Sequence, residues 1–294
     1  MVKSMTGFGR SEYTDEKRSI IVEIKSVNHR YSDISVRMPR RYSFAEDKIK
    51  NAVKETLRRG KVDISILVEN IAESDVNVKL NTMIARQYYD NLKELAGEFG
   101  LDNNITLQFL ATLPDVMKSM PDVEDEEEMT KALLAATDGA LAKIDEMRTA
   151  EGAKLAEDLI MRGETIRMLA KKIEQRSPLV TKAYEEKLRE RITELVGKNV
   201  AVPEDRILLE AAIFADKSSI TEELVRLDSH TMQLKNILSN SNQPDGKKLD
   251  FLVQEMNREA NTIGSKANDI EITNLMLEMK AEIEKIREQV QNIE

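Results

Sequence analysis

From Leu249 to Ile293 the apolar residues fall on two helical stripes, and a chain with these stripes must bury them between long helices. Leu249, Leu252, Val253, Met256, Ala260, Ile263 and Ala267 recur at three- and four-residue steps, one face of a helix. Ile272, Met276, Met279, Ile283, Ile286, Val290 and Ile293 then step 4-3-4-3-4-3, a seam suited to packing or oligomerisation. The polar side of the first helix carries Gln254, Glu255, Arg258, Glu259, Thr262 and Lys266. Glu255 and Glu259 are four residues apart, about 40° around the axis and one turn along it. Both carboxylates can therefore reach one cation or one donor cluster. A solvated face with helix-stabilising Glu–Arg pairs uses the same spacing.

The first 80 residues read as strands with one helix. Ser19–Val27 alternates partly and is β-branched, while Ile34–Met38 and Val62–Val68 alternate apolar with polar or small residues, as strands with one buried face do. Phe44, Ile49, Val53 and Leu57 suit a helix ending near Arg59–Gly60. Val76–Leu80 reads as a short strand, and a helix follows from Thr82 to about Phe99, closing at Gly97 or Gly100. Several connections are too short for crossovers, so pairing should be mainly antiparallel.

Residues 113–128 (LPDVMKSMPDVEDEEE) look like a boundary, with two prolines and a self-repelling acidic run. Beyond them nearly everything is helical. Ser177–Pro178 permits a break or a fresh start, a second helix runs to about Val196, Gly197–Asn199 turns, and Pro203 begins a third. The expected fold is α+β: an N-terminal mixed, mainly antiparallel sheet domain with helices, then a long-helix, coiled-coil-like C-terminal region. The expected division is 1–115 for an RNA-binding domain, 116–200 for a long helical hairpin and 201–294 for a catalytic helical region.

Composition narrows the class. The 294 residues contain no cysteine, which excludes disulfides, zinc–thiolate sites and cysteine nucleophiles and fits a cytoplasmic protein. No apolar run approaches the roughly 18–20 residues of a membrane span, and the N-terminus lacks a signal-peptide core. P-loop, GxGxxG, HExxH and GxSxG motifs are missing, so a nucleotide cofactor and zinc-peptidase chemistry lack support. The net charge of −9 is unevenly spread: residues 1–70 hold 15 basic and 10 acidic residues, the remainder 29 and 43. A basic front suits phosphate. Its cations include Arg30, Arg37, Arg40, Arg41, Arg58, Arg59 and Lys61, with His29 beside them. Tyr31 and Tyr42 offer stacking surfaces for unpaired bases.

Between 219 and 248 the chemistry is dense. Ser219 and Glu222 have capping-box spacing at the start of a helix running to about Leu238. Glu223, Arg226 and His230 share one face of it, but Glu223 and His230 lie about 10 Å apart along the axis. They cannot hold one metal ion from this helix alone, so a partner helix must supply the rest, and Glu255 with Glu259 is the candidate. The link SNSNQPDGK (239–247) could fold the two helices back antiparallel.

EMNREANTIGSKANDIEI (255–272) and SMTGFGR (Ser4–Arg10), with SVNHRY (Ser26–Tyr31), RRGKVD (Arg58–Asp63) and TEELVRLDSH (Thr221–His230), resemble the YicC/YloC family of bacterial endoribonucleases. The blocks stand in family order along the whole chain. The resemblance implies a metal-dependent endoribonuclease acting on single-stranded RNA as a ring-like homo-oligomer, a hexamer. Placement within these blocks, together with helical spacing, makes Glu223, Glu255 and Glu259 the candidate ligands of a divalent cation. Oxygen ligands suit Mg²⁺ or Mn²⁺, and an added imidazole favours Mn²⁺. His230 is the candidate general base or extra ligand. Arg226, Arg258 and Lys266 would neutralise phosphate, and Gln254 and Asn261 would position RNA. Two rivals stand beside this reading. In one, the 2′-OH attacks with His230 and Lys266 or Arg258 assisting; in the other, a non-catalytic RNA-binding oligomer presents RNA to other nucleases.

Overall fold

The computed structural model describes residues 2–29, 31–71, 76–102, 104–121, 125–197, 204–240 and 246–293. Strands β1 (Gly7–Thr14), β2 (Arg18–Val27), β3 (Asp33–Arg37) and β4 (Lys61–Asn70) form one sheet in the order β1-β2-β4-β3. β1–β2 and β2–β4 are antiparallel, while β3 runs parallel to β4. A parallel neighbour needs a crossover, and the 3-10 turn Arg40–Ala45 with helix α1 (Glu46–Thr56) supplies it. The expected mixed, mainly antiparallel sheet is therefore present. Alternation becomes burial: Ile20, Val22 and Ile24 face the core with Val62, Ile64 and Ile66.

The helix expected to close at Arg59–Gly60 ends earlier, at Thr56, with Leu57 already extended. Gly60 has φ +110°, and a Cβ there would come within 3.0 Å of the Val27 carbonyl oxygen. It shapes the turn into β4 instead of capping α1.

Strand β5 (Val76–Leu80), α2 (Thr82–Phe99), α3 (Leu107–Thr112) and β6 (Met117–Pro121) form an excursion, with β5 and β6 paired antiparallel. α2 has the bounds its periodicity predicts. The Asn81 side chain accepts the Ile84 N–H at 3.2 Å, and Gly100, at φ +64°, ends the helix. β6 lies inside the stretch expected only as a boundary. Neither α2 nor α3 holds a fully buried residue.

Helix α4 (Glu126–Val196) is a single element of 71 residues, roughly 105 Å long at 1.5 Å per residue. The Asp125 side chain caps it, and the acidic run becomes a first turn that suits a helix N-terminus. The break expected at Ser177–Pro178 does not occur: Pro178 lies inside the helix, and the described residues 126–196 run as one helix and not as a hairpin. An internal proline costs a helix about 3 kcal/mol. Ile173 and Val180, buried on either side of it, keep α4 seated on the C-terminal helices across that point.

Two cores share α4. Met129, Leu133, Ala136, Ala140 and Ile144 pack against the sheet. Leu159, Ile166, Leu169 and Ile173 pack with α6 (Thr221–Asn240), α7 (Gly246–Lys266) and α8 (Ile270–Val290). Helix α5 (Glu204–Lys217) joins through Tyr184 stacked on Phe214, ring centroids 3.8 Å apart, and through the Arg189–Glu204 pair. The seam residues Ile272, Met279, Ile283, Ile286, Val290 and Ile293 are buried within this same chain.

The SMTGFGR block owes its glycines to close approach. A Cβ on Gly9 would sit 2.2 Å from the Ala140 carbonyl oxygen, and one on Gly152 would sit 2.3 Å from that of Val2. The N-terminus then runs between α4 and the end of α8. Buried Arg148 donates from Nε to the Ser4 carbonyl at 2.5 Å, and the Met5 N–H donates to the Asn292 carbonyl at 2.8 Å. Among the described residues no helix is long and apolar enough to cross a membrane.

Candidate active site

Helices α6 and α7 pack against one another, and their polar pairs define the register. Lys266, at the end of α7, donates to Glu223 in the first turn of α6 at 2.8 Å. His230, in mid-α6, meets Glu255 and Glu259, in mid-α7. The two helices are therefore antiparallel, as expected, although residues 241–245 of the link lie outside the described residues.

Leu227 and Leu234 of α6 and Met256, Ala260 and Ile263 of α7 are buried. That packing brings His230, Glu255 and Glu259 together at the edge of the core. One ligand atom from each of the three lies within 4.8 Å of the others. Glu259 is 4% exposed, and its cationic neighbour Arg226 stands 3.8 Å away. A carboxylate this buried is costly without a close counter-charge. The Nδ1 of His230 is buried with no hydrogen-bond partner. Two carboxylates and one imidazole, whose Nδ1 is the orphaned nitrogen, form a donor set that could hold a divalent cation.

Glu223, expected among the ligands, is not part of that group. Its Oε1 accepts from Lys266, and its Oε2 is buried without a partner. Lys266 also donates to the Ser219 carbonyl at 3.2 Å. The pair braces one end of α6 against α7. Glu222, of the capping-box spacing, turns to Arg226 at 3.0 Å. Arg226 and Arg258 stand exposed beside the cluster, the latter 3.9 Å from Glu255. Gln254 and Asn261 lie on the solvent side of α7, Gln254 donating to Asp250 at 2.8 Å. The sequence alone assigns no role to Asn257 or Arg287, which line the same groove as Gln254 and Asn261. In α8 the seam takes Ile286 and leaves its neighbour Arg287 unremarked.

The cationic front divides into two ends. His29 and Tyr31 are exposed, their rings edge-to-face at 6.3 Å. Exposed Arg58, Arg59 and Lys61 lie close by, since the Asp33 N–H bonds the Gly60 carbonyl and Asp33 pairs with Lys61 across β3–β4. Arg37, Arg40 and Arg41 are exposed at the far end of β3. Arg30 lies outside the described residues. Tyr42 departs from expectation: it is 1% exposed and belongs to the sheet core, with the Arg41 guanidinium 4.5 Å from its ring centroid. The 3-10 turn points it inward, so it offers no open stacking face. The first end of this surface touches the helical body, where Asn28 donates to the Gln291 carbonyl at 2.8 Å.

A sheet-and-helix head docked on long helices, with an imidazole–carboxylate cluster flanked by arginines, defines a class of helical protein carrying a group that could hold a cation. The sequence comparisons narrow that class. Residues 2–157 match the N-terminal region of the YicC-like endoribonucleases and residues 173–294 match their C-terminal region. The chain is 48% identical over 294 residues to a protein of Clostridioides difficile described as a probable endoribonuclease YicC, covering all of both chains. It is 31% identical, again over the full length of both, to one of the same description from Haemophilus influenzae. The chain belongs to the YicC-like endoribonuclease family.

Proposed function

We propose that this protein cleaves phosphodiester bonds within single-stranded RNA, using a divalent cation, Mn²⁺ or Mg²⁺, and working in the cytoplasm as a homo-oligomer, a hexamer. The observation that carries this reading is the convergence of His230, Glu255 and Glu259 within 4.8 Å in a chain of this family. Those three residues would hold the ion, which when bound supplies activated water and charge neutralisation at phosphorus. An imidazole among oxygen ligands favours Mn²⁺.

The chain's own groups divide the remaining work. Arg226 and Arg258, exposed beside the cluster, take non-bridging phosphate oxygens. Lys266 and Glu223 hold the register that brings His230 to the carboxylates. His29 and Tyr31, with the cations beside them, receive the strand, and stacking on Tyr31 suits unpaired bases. Assembly is supported by the 76–121 excursion, which leaves Met83, Leu95, Phe99, Leu107, Phe109 and Met117 exposed. Apolar surface of this extent marks a protein contact.

The test is cleavage of an end-labelled single-stranded RNA by the purified protein in Mn²⁺, Mg²⁺ or EDTA. Cleavage with metal that disappears in EDTA, in His230→Ala and in Glu255→Gln is the expected result. Tight binding without cutting in every condition would replace this reading with that of an RNA-presenting oligomer. A 2′,3′-cyclic phosphate product would replace attack by water with attack by the 2′-OH.

A further inference from the structure

On the flank of α7 away from His230, a groove of about 390 Å³ runs between α7 and α8, within the size range of small-ligand sites. Its polar lining is Gln254, Asn257, Arg258, Asn261, Thr262 and Arg287. In a chain of net charge −9, this lining contains three carboxamides, two guanidiniums, one hydroxyl and no carboxylate. Carboxamides carry both donors and acceptors, which base edges require, whereas arginines suit phosphate.

The hydrogen bonds leave this chemistry available. Asn261 donates to the Asn257 Oδ1 at 3.4 Å, which leaves the Asn257 amide N–H groups and the Asn261 carbonyl oxygen for another partner. Arg287 meets Glu284 only at 3.5 Å and Arg258 meets Glu255 only at 3.9 Å. Exposed pairs this long hold their arginines weakly.

Position gives the groove its meaning. Arg258 sits on the ridge of α7, between the groove and the carboxylate cluster. Arg287 precedes Gln291 by one helical turn, about 6 Å, and the Gln291 carbonyl is where Asn28 of the head attaches. Arg258 thus joins the groove to Glu255 of the cluster, and Arg287 sets its other side one turn from the contact with the head.

We infer that this groove holds the nucleotide next to the scissile phosphate, with Asn257 and Asn261 reading its base edge and Arg287 holding its phosphate. The inference rests on the nuclease reading above only in saying which nucleotide is held.

The full-length protein, with Asn257→Ala/Asn261→Ala and Arg287→Gln variants of unchanged thermal midpoint, is assayed two ways. Cleavage of a single-stranded RNA pool with Mn²⁺ should show a base preference at one position beside the cut. In the double variant that discrimination should shrink at least about fivefold, the lower end for base-edge contacts, because cleavage of the preferred RNA falls toward that of the others. Arg287→Gln should raise KM and lower the salt slope of binding by about one. Unchanged preference, KM and slope would overturn the proposal. Binding of the same labelled oligonucleotides in EDTA separates the two readings. If the wild type binds but never cuts, and the variants bind more weakly, the groove stands and the nuclease reading falls. Equal binding by the variants, or none by the wild type, removes the groove as an RNA contact.

Discussion

Lys266 closes the last turn of α7 onto Glu223 in the first turn of α6, Nζ to Oε1 at 2.8 Å, with the carboxylate side chain 7% exposed and the lysine 35%. Burial alone would raise the Glu223 carboxyl. The Lys266 hydrogen bond, Glu223's own backbone N–H and the charges of Lys266 and Arg226 outweigh burial and hold it below its ordinary value. A depressed carboxyl contributes stability that is full above the unfolded value and lost as pH falls through the folded one.

Lys266→Met should therefore destabilise the protein by about 1–2 kcal/mol near neutral pH, below the figure for a fully buried pair because the lysine is partly exposed. The gap between wild type and variant should narrow as the pH drops below 4.5, the ordinary glutamate value. Urea midpoints at several pH values measure it. A gap that does not change with pH would mean that the pair does not carry the effect.

Glu259 gives a prediction with opposite signs in two conditions. Its buried charge stands 3.8 Å from Arg226, so Glu259→Gln should leave the metal-free protein equally stable or more stable by up to about 1 kcal/mol. A ligand that binds only the folded state stabilises it in proportion to its concentration over Kd. Added Mn²⁺ should raise the thermal midpoint of the wild type and not that of the variant, and thermal scans with and without the ion read both effects.

Packing of β1 on α4 leaves no room at Gly9. Gly9→Ala brings a methyl to within 2.2 Å of a backbone oxygen, and the strand or the helix must shift, at a cost of about 1–3 kcal/mol. At Gly97, inside α2, a methyl would meet nothing within 4 Å. Gly97→Ala should instead stabilise by about 0.5–1 kcal/mol. Denaturant midpoints of the two variants should move in opposite directions.

Tyr31 and Tyr42 should separate binding from folding. Tyr31, 65% exposed, loses a stacking face on change to alanine. Its RNA affinity should fall by about 1–3 kcal/mol, the range for one stacked base, with an unchanged thermal midpoint. Tyr42→Ala empties a core position 1% exposed and should cost about 3–5 kcal/mol of stability. Anisotropy with labelled RNA and thermal unfolding measure the two.

Legibility in the sequence followed the strength of local patterning. Val62, Ile64 and Ile66 announce β4 because one face of the sheet is buried and a period of two has no other use. Asn81 and Gly100 mark both ends of α2 by their capping chemistry. Pro178 misleads because a local penalty of a few kcal/mol is overridden by Ile173 and Val180, whose burial depends on helices later in the chain. The seven-residue spacing of Glu223 and His230 shows that the two cannot hold one ion from their own helix alone. Which of them joins Glu255 and Glu259 depends on the antiparallel register of α7, and no local pattern specifies it. Tyr42 is buried by the 3-10 turn, a conformation without a periodic signature. Arg287 hides in a seam whose regularity accounts for its neighbours and says nothing of the residue beside them.

Because α4 lends residues 129–144 to one apolar interior and 156–180 to the other, the interval between the two matched family regions falls in the middle of an unbroken rod. A nick there would leave each fragment with half a spine, so neither portion is a module that evolution or the bench can exchange by itself. The rod that lies under the sheet is also the one that grips the helix carrying His230, through Arg167 and Asp228 at 2.6 Å.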